Sequence, residues 1–469
     1  MERKKVLIVG AGIAGQELSS QFKKLGQQYK LVGFIDDDPK KTNSRIKGIQ
    51  VLGKIDKIGS LCKKHKINQI VIAIPSASGE TIQKVLEATK GIRLNYKILP
   101  RTLEIVQGRA YLHHLRNLQI TDLLGRAIVK SEQKLFENEF KGKNILVTGA
   151  AGSIGSELCR QLAEFSPKKI GALDWSENGL FELNQELSKK APDSFECILG
   201  NIQDTDSLRL IANRLNPHYI FHTAAFKHVP LTQINPLEAI KNNVFGTLNV
   251  VEAAKECKAN KFTFISSDKA ADPINIMGAT KLIGEQIISE ANSNSDTKFA
   301  TVRFGNVLES NGSVIPIFRK QIANRDPLTV THPNMTRFFM SIPEAVQLVL
   351  QATVLQKGGE VFILEMGSQV KIEDIAKYMV QLEGLVLDRD IKIEYTGIRP
   401  GEKIEEQLFG ENEALTEQIG LNNSKIFTVS KSKKLEQNLI AKLKQAIQRN
   451  DVTMAIEALK IAAPNLDEV

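Results

Sequence analysis

Residues 143–158 read KNILVTGAAGSIGSEL, and this order of residue types sets the fold of the larger part of the chain. The apolar run after Asn144 does not alternate with polar residues, the pattern of a parallel strand covered on both faces. Gly149, Gly152 and Gly155 then follow in the spacing TGxxGxxG, and an amphipathic helix begins. Glycines at a strand-to-helix turn let the backbone bend tightly and approach a pyrophosphate. The phosphates sit on the helix N-terminus, where free N–H groups and the helix dipole favour negative charge.

The next strand, KKIGALDWSE, carries Asp174 nineteen residues after Gly155. A carboxylate there accepts hydrogen bonds from the hydroxyls of an adenosine ribose and repels a 2′-phosphate, which points to NAD over NADP. Strand–helix alternation continues through HYIFHTAAF and KFTFISSD, as in a doubly wound sheet.

The same opening occurs earlier. Residues 4–18 read KKVLIVGAGIAGQEL, with Gly10, Gly12 and Gly15, and LVGFIDDDP places Asp36 at the matching strand end. The strand INQIVIAIPS completes a smaller parallel α/β unit. A bound nucleotide and a ligand-free packing turn are both open readings there, because no catalytic constellation follows. The expected division is an N-terminal nucleotide-binding-type domain over 1–107, a linker over 108–142 with its sharpest edge at Lys141–Lys143, and a catalytic domain over 143–469.

A chain of 469 residues, 42% hydrophobic and 25% charged, is long enough for two or three domains with their own cores. Its formal net charge of +9 points to an anionic partner such as a nucleotide, a phosphorylated substrate or a membrane surface. Scattered solvated lysines are the plainer alternative. No Lys/Arg run is interleaved with aromatics, so nucleic acid is not expected. Cys62, Cys159, Cys197 and Cys257 form no CxxC pair, so neither metal nor a disulfide framework is expected, and a reducing cytoplasm fits. The apolar run in MERKKVLIVGAG is too short for a signal sequence, and no window reaches ~18 uninterrupted apolar residues, so no bilayer span is expected.

The ordered run TGAAGSIGSELCRQL, HTAAFKHVPLTQINPLEAIKNNVFGTLNV, SSDKAADPINIMGATK, VRFGNVLESNGSVIPIF, TRFFMSIPEAVQLV and GIRPGEK is similar to bacterial nucleotide-sugar 4,6-dehydratases of polysaccharide and glycan biosynthesis. These are extended short-chain dehydrogenases/reductases. The resemblance covers essentially residues 120–469, and long members carry a domain like residues 1–107 before it. It implies two Rossmann-like doubly wound parallel sheets, the second followed by a sugar-nucleotide subdomain mainly within 306–469. Long members begin with transmembrane helices that this sequence lacks, which reads as a soluble variant or a truncated form. Membrane association is then expected only through other proteins or a missing N-terminal segment, and a homo-oligomer is expected.

The resemblance further implies tightly held NAD and the substrate UDP-N-acetylglucosamine, converted to UDP-2-acetamido-2,6-dideoxy-4-keto-hexose. In such a cycle a hydride leaves carbon 4, the ketone acidifies the carbon-5 proton, water leaves from carbon 6 and the hydride returns there. Gly149, Gly152, Ser153, Ile154, Gly155, Asp174, Asn201, Ile202, Ala224, Ala225 and Lys281 are the cofactor-side residues it implies. Lys227, His228, Asn306, Arg337, Arg399 and Glu402 are the substrate-side ones, the arginines suiting a diphosphate by bidentate pairing.

The catalytic set is Ser267, Asp268, Lys269, Met277 and Lys281. Simple dehydrogenases of this type place a tyrosine four residues before the lysine, where this chain has Met277. Several long members share that methionine, and with it the expectation of retention at carbon 5. The adjacent carboxylate and ammonium of Asp268 and Lys269 supply an acid and a base for elimination. The carbon-4 hydroxyl proton is left to Asp268, Ser267 or a water. Glu309 departs from the glycine usual in VLGSxGSV. The competing readings are a UDP-sugar 4-epimerase, which relies on the tyrosine, and a catalytically silent nucleotide-sugar-binding regulator.

Overall fold

The computed structural model describes residues 3–100, 110–124, 133–419, 426–429 and 434–466. Residues 108–109 and 125–132 of the expected linker lie outside the described residues. The chain forms two compact units. One comprises Met1–Ala127, Gly312–Pro333 and Lys371–Thr396; the other comprises Ile128–Asn311, Asn334–Val370 and Gly397–Val469. Two stretches from the expected sugar-nucleotide subdomain thus belong with the first unit. There Leu328–Val330 pairs with Ile393–Tyr395 in parallel.

In the first unit, β1 (Lys4–Val9), β2 (Tyr29–Ile35), β3 (Gln69–Ile72), β4 (Asn95–Ile98) and β5 (Arg116–Asn117) lie in the order β2-β1-β3-β4-β5. All pair in parallel except β5, which runs antiparallel to β4. The glycine turn after β1 leads into α1 (Ile13–Lys24), as the sequence pattern requires.

The second unit is built on nine described strands. These are β6 (Asn144–Thr148), β7 (Lys169–Asp174), β8 (Phe195–Leu199), β9 (Tyr219–His222), β10 (Lys261–Ile265), β11 (Lys298–Arg303), β12 (Val361–Leu364), β13 (Leu415–Ile419) and β14 (Ile426–Val429). Their order is β8-β7-β6-β9-β10-β11-β12-β14-β13. The first seven are parallel, while β14 and β13 extend the edge antiparallel, a departure from a wholly parallel sheet. The chain progresses outward from β6 in both directions. A crevice therefore opens between β6 and β9 at their C-terminal ends, where open α/β sheets bind ligands.

β6 shows why the opening stretch reads as it does. Ile145 and Val147 face one hydrophobic core with Phe221 and Val302, whereas Leu146 faces the opposite core with Phe262, Phe264 and Ile283. A strand buried on both sides has no polar face to alternate. Each such side chain contributes roughly 1.5–3 kcal/mol of burial, which anchors the strand end that carries Gly149.

Candidate active site and cofactor groove

Gly149 leaves β6 with φ of 71°, in the left-handed region that disfavours a side chain. A Cβ there would lie 2.6 Å from the Ala224 nitrogen at the end of β9, so only glycine permits this approach. Gly152 caps α2 (Ser153–Ala163), and no side chain occupies the cap, which leaves the helix N–H groups open. Ser153, Ile154 and Gly155 form its first turn. Asp174 ends β7, with Oδ2 accepting from the Ala151 N–H at 3.0 Å and Oδ1 from the Ser176 N–H at 2.8 Å. The carboxylate therefore locks the glycine turn to the neighbouring strand.

These elements wall a groove of about 250 Å³ lined by Gly149, Gly152, Asp174, Asn201, Ala224 and Ala225, with Ile202 and the exposed Trp175 beside them. No lysine or arginine lines it among the described residues. An uncapped helix N-terminus, a turn that a Cβ would fill and a carboxylate at the strand end fit a dinucleotide without a 2′-phosphate. Of the expected cofactor-side residues, Gly149, Gly152, Asp174, Asn201, Ile202, Ala224 and Ala225 line the groove, Ser153, Ile154 and Gly155 form the helix turn that follows Gly152, and Lys281 is not among the lining residues.

Lys281 stands on α3 (Ile276–Ser293) and donates to the Ile265 carbonyl at 2.7 Å, with Nζ 4.6 Å from the centre of the Phe264 ring. Burial pulls its ammonium down to about 7, against the opposing charge of Glu285. Met277 is buried in the first turn of the same helix. That turn is fixed from outside: Asn275 caps Gly278 N–H at 2.8 Å and donates to the Gly401 carbonyl at 2.9 Å, while Gln233 accepts from Ile276 N–H at 2.7 Å. The GIRPGEK motif thus holds the helix that presents Met277.

Ser267, Asp268 and Lys269 follow β10 in a single short helical turn. A Cβ on Gly278 would lie 2.2 Å from the Lys269 carbonyl, so this turn rests directly on α3. Ser267 Oγ donates to Asp268 Oδ1 at 2.8 Å, and Lys269 Nζ donates to the same oxygen at 3.0 Å. Asp268 is 1% exposed, and its Oδ2 is buried with no hydrogen-bond partner. A buried carboxylate oxygen without a donor is costly.

Lys269 also faces Asn306 Oδ1 at 3.5 Å and Glu406 Oε1 at 3.4 Å. Burial works against its charge, but the carboxylates of Asp268 and Glu406 outweigh burial and the nearby Arg337, and its pKa is raised. Arg337 lies 3.8 Å from Glu406 and 3.9 Å from Glu402 and donates to the carbonyls of Thr336 and Ile404. Arg399 is exposed, and its N–H donates to Glu402 Oε2 at 3.3 Å. Lys227 and His228 are exposed on the loop beyond the groove wall. Asn306, Arg337, Glu402, Glu406 and the Ser267–Asp268–Lys269 turn therefore form one chain of contacts, while Lys227 and His228 stand apart from it.

Sequence reading missed Glu406 and the buried ion cluster beneath it. Arg303, fully buried, pairs with Glu285 through Nε at 2.7 Å and with Glu413 through Nη1 at 2.6 Å. Glu413 accepts the Gly410 N–H as well, so the cluster pins the loop carrying Glu406 to β11 and α3. The only available signal was the run of acidic residues after GIRPGEK, which reads equally as a solvated face. Glu309, where glycine was expected, has φ of 59°, so the backbone keeps the left-handed shape that glycine favours.

In the first unit the turn is wired alike: Asp36 Oδ2 accepts from Ala11 N–H at 2.8 Å and Oδ1 from Asp38 N–H at 3.0 Å. There Lys41 pairs with Asp36 at 3.1 Å. Burial pushes the Asp36 pKa up, but these hydrogen bonds and Lys41 together bring it below the usual value.

Residues 145–430 match a family described as polysaccharide biosynthesis protein, and residues 1–100 match one described as CoA-binding domain. The chain is 44% identical over 426 residues to the capsular polysaccharide biosynthesis protein CapD of Staphylococcus aureus, covering 89% of this chain and 71% of that protein. It is 35% identical over 280 residues to a UDP-N-acetylglucosamine 4,6-dehydratase (inverting) of Campylobacter jejuni, covering 59% of this chain and 80% of that one. The X-ray structure of Pen from Bacillus thuringiensis superposes with a TM-score of 0.56 at 36% identity, covering 63% of this chain and 93% of that one. The family match takes in both the groove and the Asp268–Lys269 cluster, and the chain belongs to the polysaccharide biosynthesis protein family, among the extended short-chain dehydrogenases/reductases of the nucleotide-sugar dehydratase type.

Proposed function

We propose that the protein removes water from UDP-N-acetylglucosamine across carbons 5 and 6, giving UDP-2-acetamido-2,6-dideoxy-4-keto-hexose for surface polysaccharide or glycan biosynthesis. The observation that carries this reading is the Asp268–Lys269 pair. A buried carboxylate with one free oxygen stands 3.0 Å from an amine, and Met277 occupies the place of a protic group. A simple dehydrogenase or an epimerase needs one proton acceptor for the carbon-4 hydroxyl. Elimination needs an acid and a base together, and this site has both.

NAD would be held by the glycine turn, Asp174, Asn201, Ile202, Ala224, Ala225 and Lys281, and when bound it accepts the carbon-4 hydride and returns it to carbon 6. The protein's own residues manage the protons. Asp268 Oδ2 takes the carbon-4 hydroxyl proton, and the resulting acid later protonates the departing carbon-6 hydroxyl. The carboxylates of Asp268 and Glu406 favour the Lys269 ammonium, so Lys269 first releases that proton to solvent; the free amine then takes the carbon-5 proton and afterwards gives it back. Asp268 and Lys269 thus end the cycle as they began. Arg337 and Arg399, with Asn306 and Glu402, are the side for the UDP diphosphate and ribose. Retention at carbon 5 is the expected course.

Among the described residues no helix is long and apolar enough to cross a membrane. The proposed setting is the cytoplasm or its membrane face, where nucleotide sugars are made. Turnover of UDP-N-acetylglucosamine followed by mass spectrometry tests the reading, a product lighter by one water supporting it and unchanged substrate opposing it.

A further inference from the structure

Glu406 belongs to none of the motifs that suggested the reaction, yet it is 3% exposed and lies closer to the reacting amine than any expected substrate-side carboxylate. Its Oε1 is 3.4 Å from Lys269 Nζ and 3.8 Å from Arg337 Nε. Its own carbonyl accepts from Gln369 Nε2 at 2.9 Å, and the Arg303–Glu413 pair secures the following residues. A buried acid held from both sides at this distance is a fixed feature of the site.

Resting on the elimination proposed above, we propose that Glu406 is a positioning residue, which aims the Lys269 amine and supplies the counter-charge for the ammonium that forms as carbon 5 loses its proton. In that step the carbon 5–hydrogen bond breaks and a nitrogen–hydrogen bond forms on Lys269. The electron pair becomes the carbon 5–carbon 6 double bond, and the carbon 6–oxygen bond breaks as Asp268 gives its proton to the leaving hydroxyl. Positive charge grows on Lys269 during this step. Asp268 meanwhile changes protonation, so it is an inconstant counter-ion. Glu406 exchanges no proton in this step.

The charged groups facing Lys269 are Asp268 beside it, Glu406 from the C-terminal loop and Arg337 from the strand before Phe338. The two carboxylates favour the ammonium and Arg337 opposes it. Removing the Glu406 charge therefore makes Lys269 a weaker base that loses its proton at lower pH.

Glu406→Gln and Glu406→Asp test this in the full chain with NAD present. Glu406→Gln should lower the high-pH plateau of kcat by roughly 10- to 100-fold and move its rising limb to lower pH, with UDP affinity retained. Glu406→Asp keeps the charge, so it should recover part of kcat and leave the limb in place. Competitive acylation of Lys269, read by peptide mass spectrometry across pH, should show a lower midpoint in Glu406→Gln than in the unaltered protein. Equal midpoints in the two would overturn the proposal. So would a loss of UDP affinity as large as the loss of kcat, which would place the action of Glu406 on Arg337. The labelling does not depend on turnover: if the unaltered protein leaves UDP-N-acetylglucosamine intact, the elimination reading fails while the midpoints still decide the role of Glu406.

Discussion

Lys269 Nζ donates to Asp268 Oδ1 at 3.0 Å, and the other oxygen of Asp268 is buried without a partner. One oxygen is thus held by the chain, and the other is the one proposed to take the carbon-4 hydroxyl proton. Lys269→Ala should stop exchange of the carbon-5 proton, and Asp268→Asn should block departure of the carbon-6 hydroxyl. Each should cost about 10²–10⁴-fold in turnover. Met277→Ala should cost less, acting through packing in the first turn of α3. Near-full turnover in both polar variants with an inactive Met277→Ala would show that the division of labour is wrong.

Asp174 uses both oxygens to hold the Ala151 and Ser176 N–H groups, so it shapes the glycine turn. Asp174→Ala should weaken NAD binding and reduce the preference over NADP, as read by fluorescence titration of both cofactors. Equal affinity for the two in the unaltered protein would contradict the groove assignment.

Arg337→Ala and Arg399→Ala should each weaken UDP binding by roughly 1.5–3 kcal/mol, the range for a hydrogen bond to a charged group. Calorimetric titration with UDP checks this without turnover. Unchanged affinity in both variants would mean that the diphosphate lies elsewhere.

The Arg303 cluster makes a stability prediction. Burial opposes the Arg303 charge, but Glu285 and Glu413 more than offset it and hold the guanidinium protonated. Glu413→Ala leaves that charge half-paired and frees the loop, so it should cost roughly 3–5 kcal/mol of stability in denaturant unfolding. Turnover should fall too, because Glu406 loses its support. An unchanged unfolding midpoint would mean that the loop is held by its other contacts.

The parts legible in the sequence are those fixed by local rules. The spacing of Gly149, Gly152 and Gly155, with Asp174 after them, follows from one strand, one turn and one helix, and the structure assembles them as the spacing requires. Ser267, Asp268 and Lys269 were readable because they are adjacent in the chain. Glu406 and Glu413 lie far along the chain from Lys269 and Arg303, and only the tertiary fold joins them. The antiparallel edge formed by β14 and β13 was missed because short apolar runs after residue 410 carry no pairing signal. Nor does periodicity tell which unit the stretches 312–333 and 371–396 join.

The most direct test is incubation of the purified protein with NAD and UDP-N-acetylglucosamine in deuterated water, with the product read by mass spectrometry and proton NMR. The account predicts a 4-keto-6-deoxy sugar nucleotide that has lost one water and carries deuterium at carbon 5. A product of unchanged composition inverted at carbon 4 would make the protein an epimerase, and tight binding with intact substrate would make it a silent binder; either contradicts the assignment.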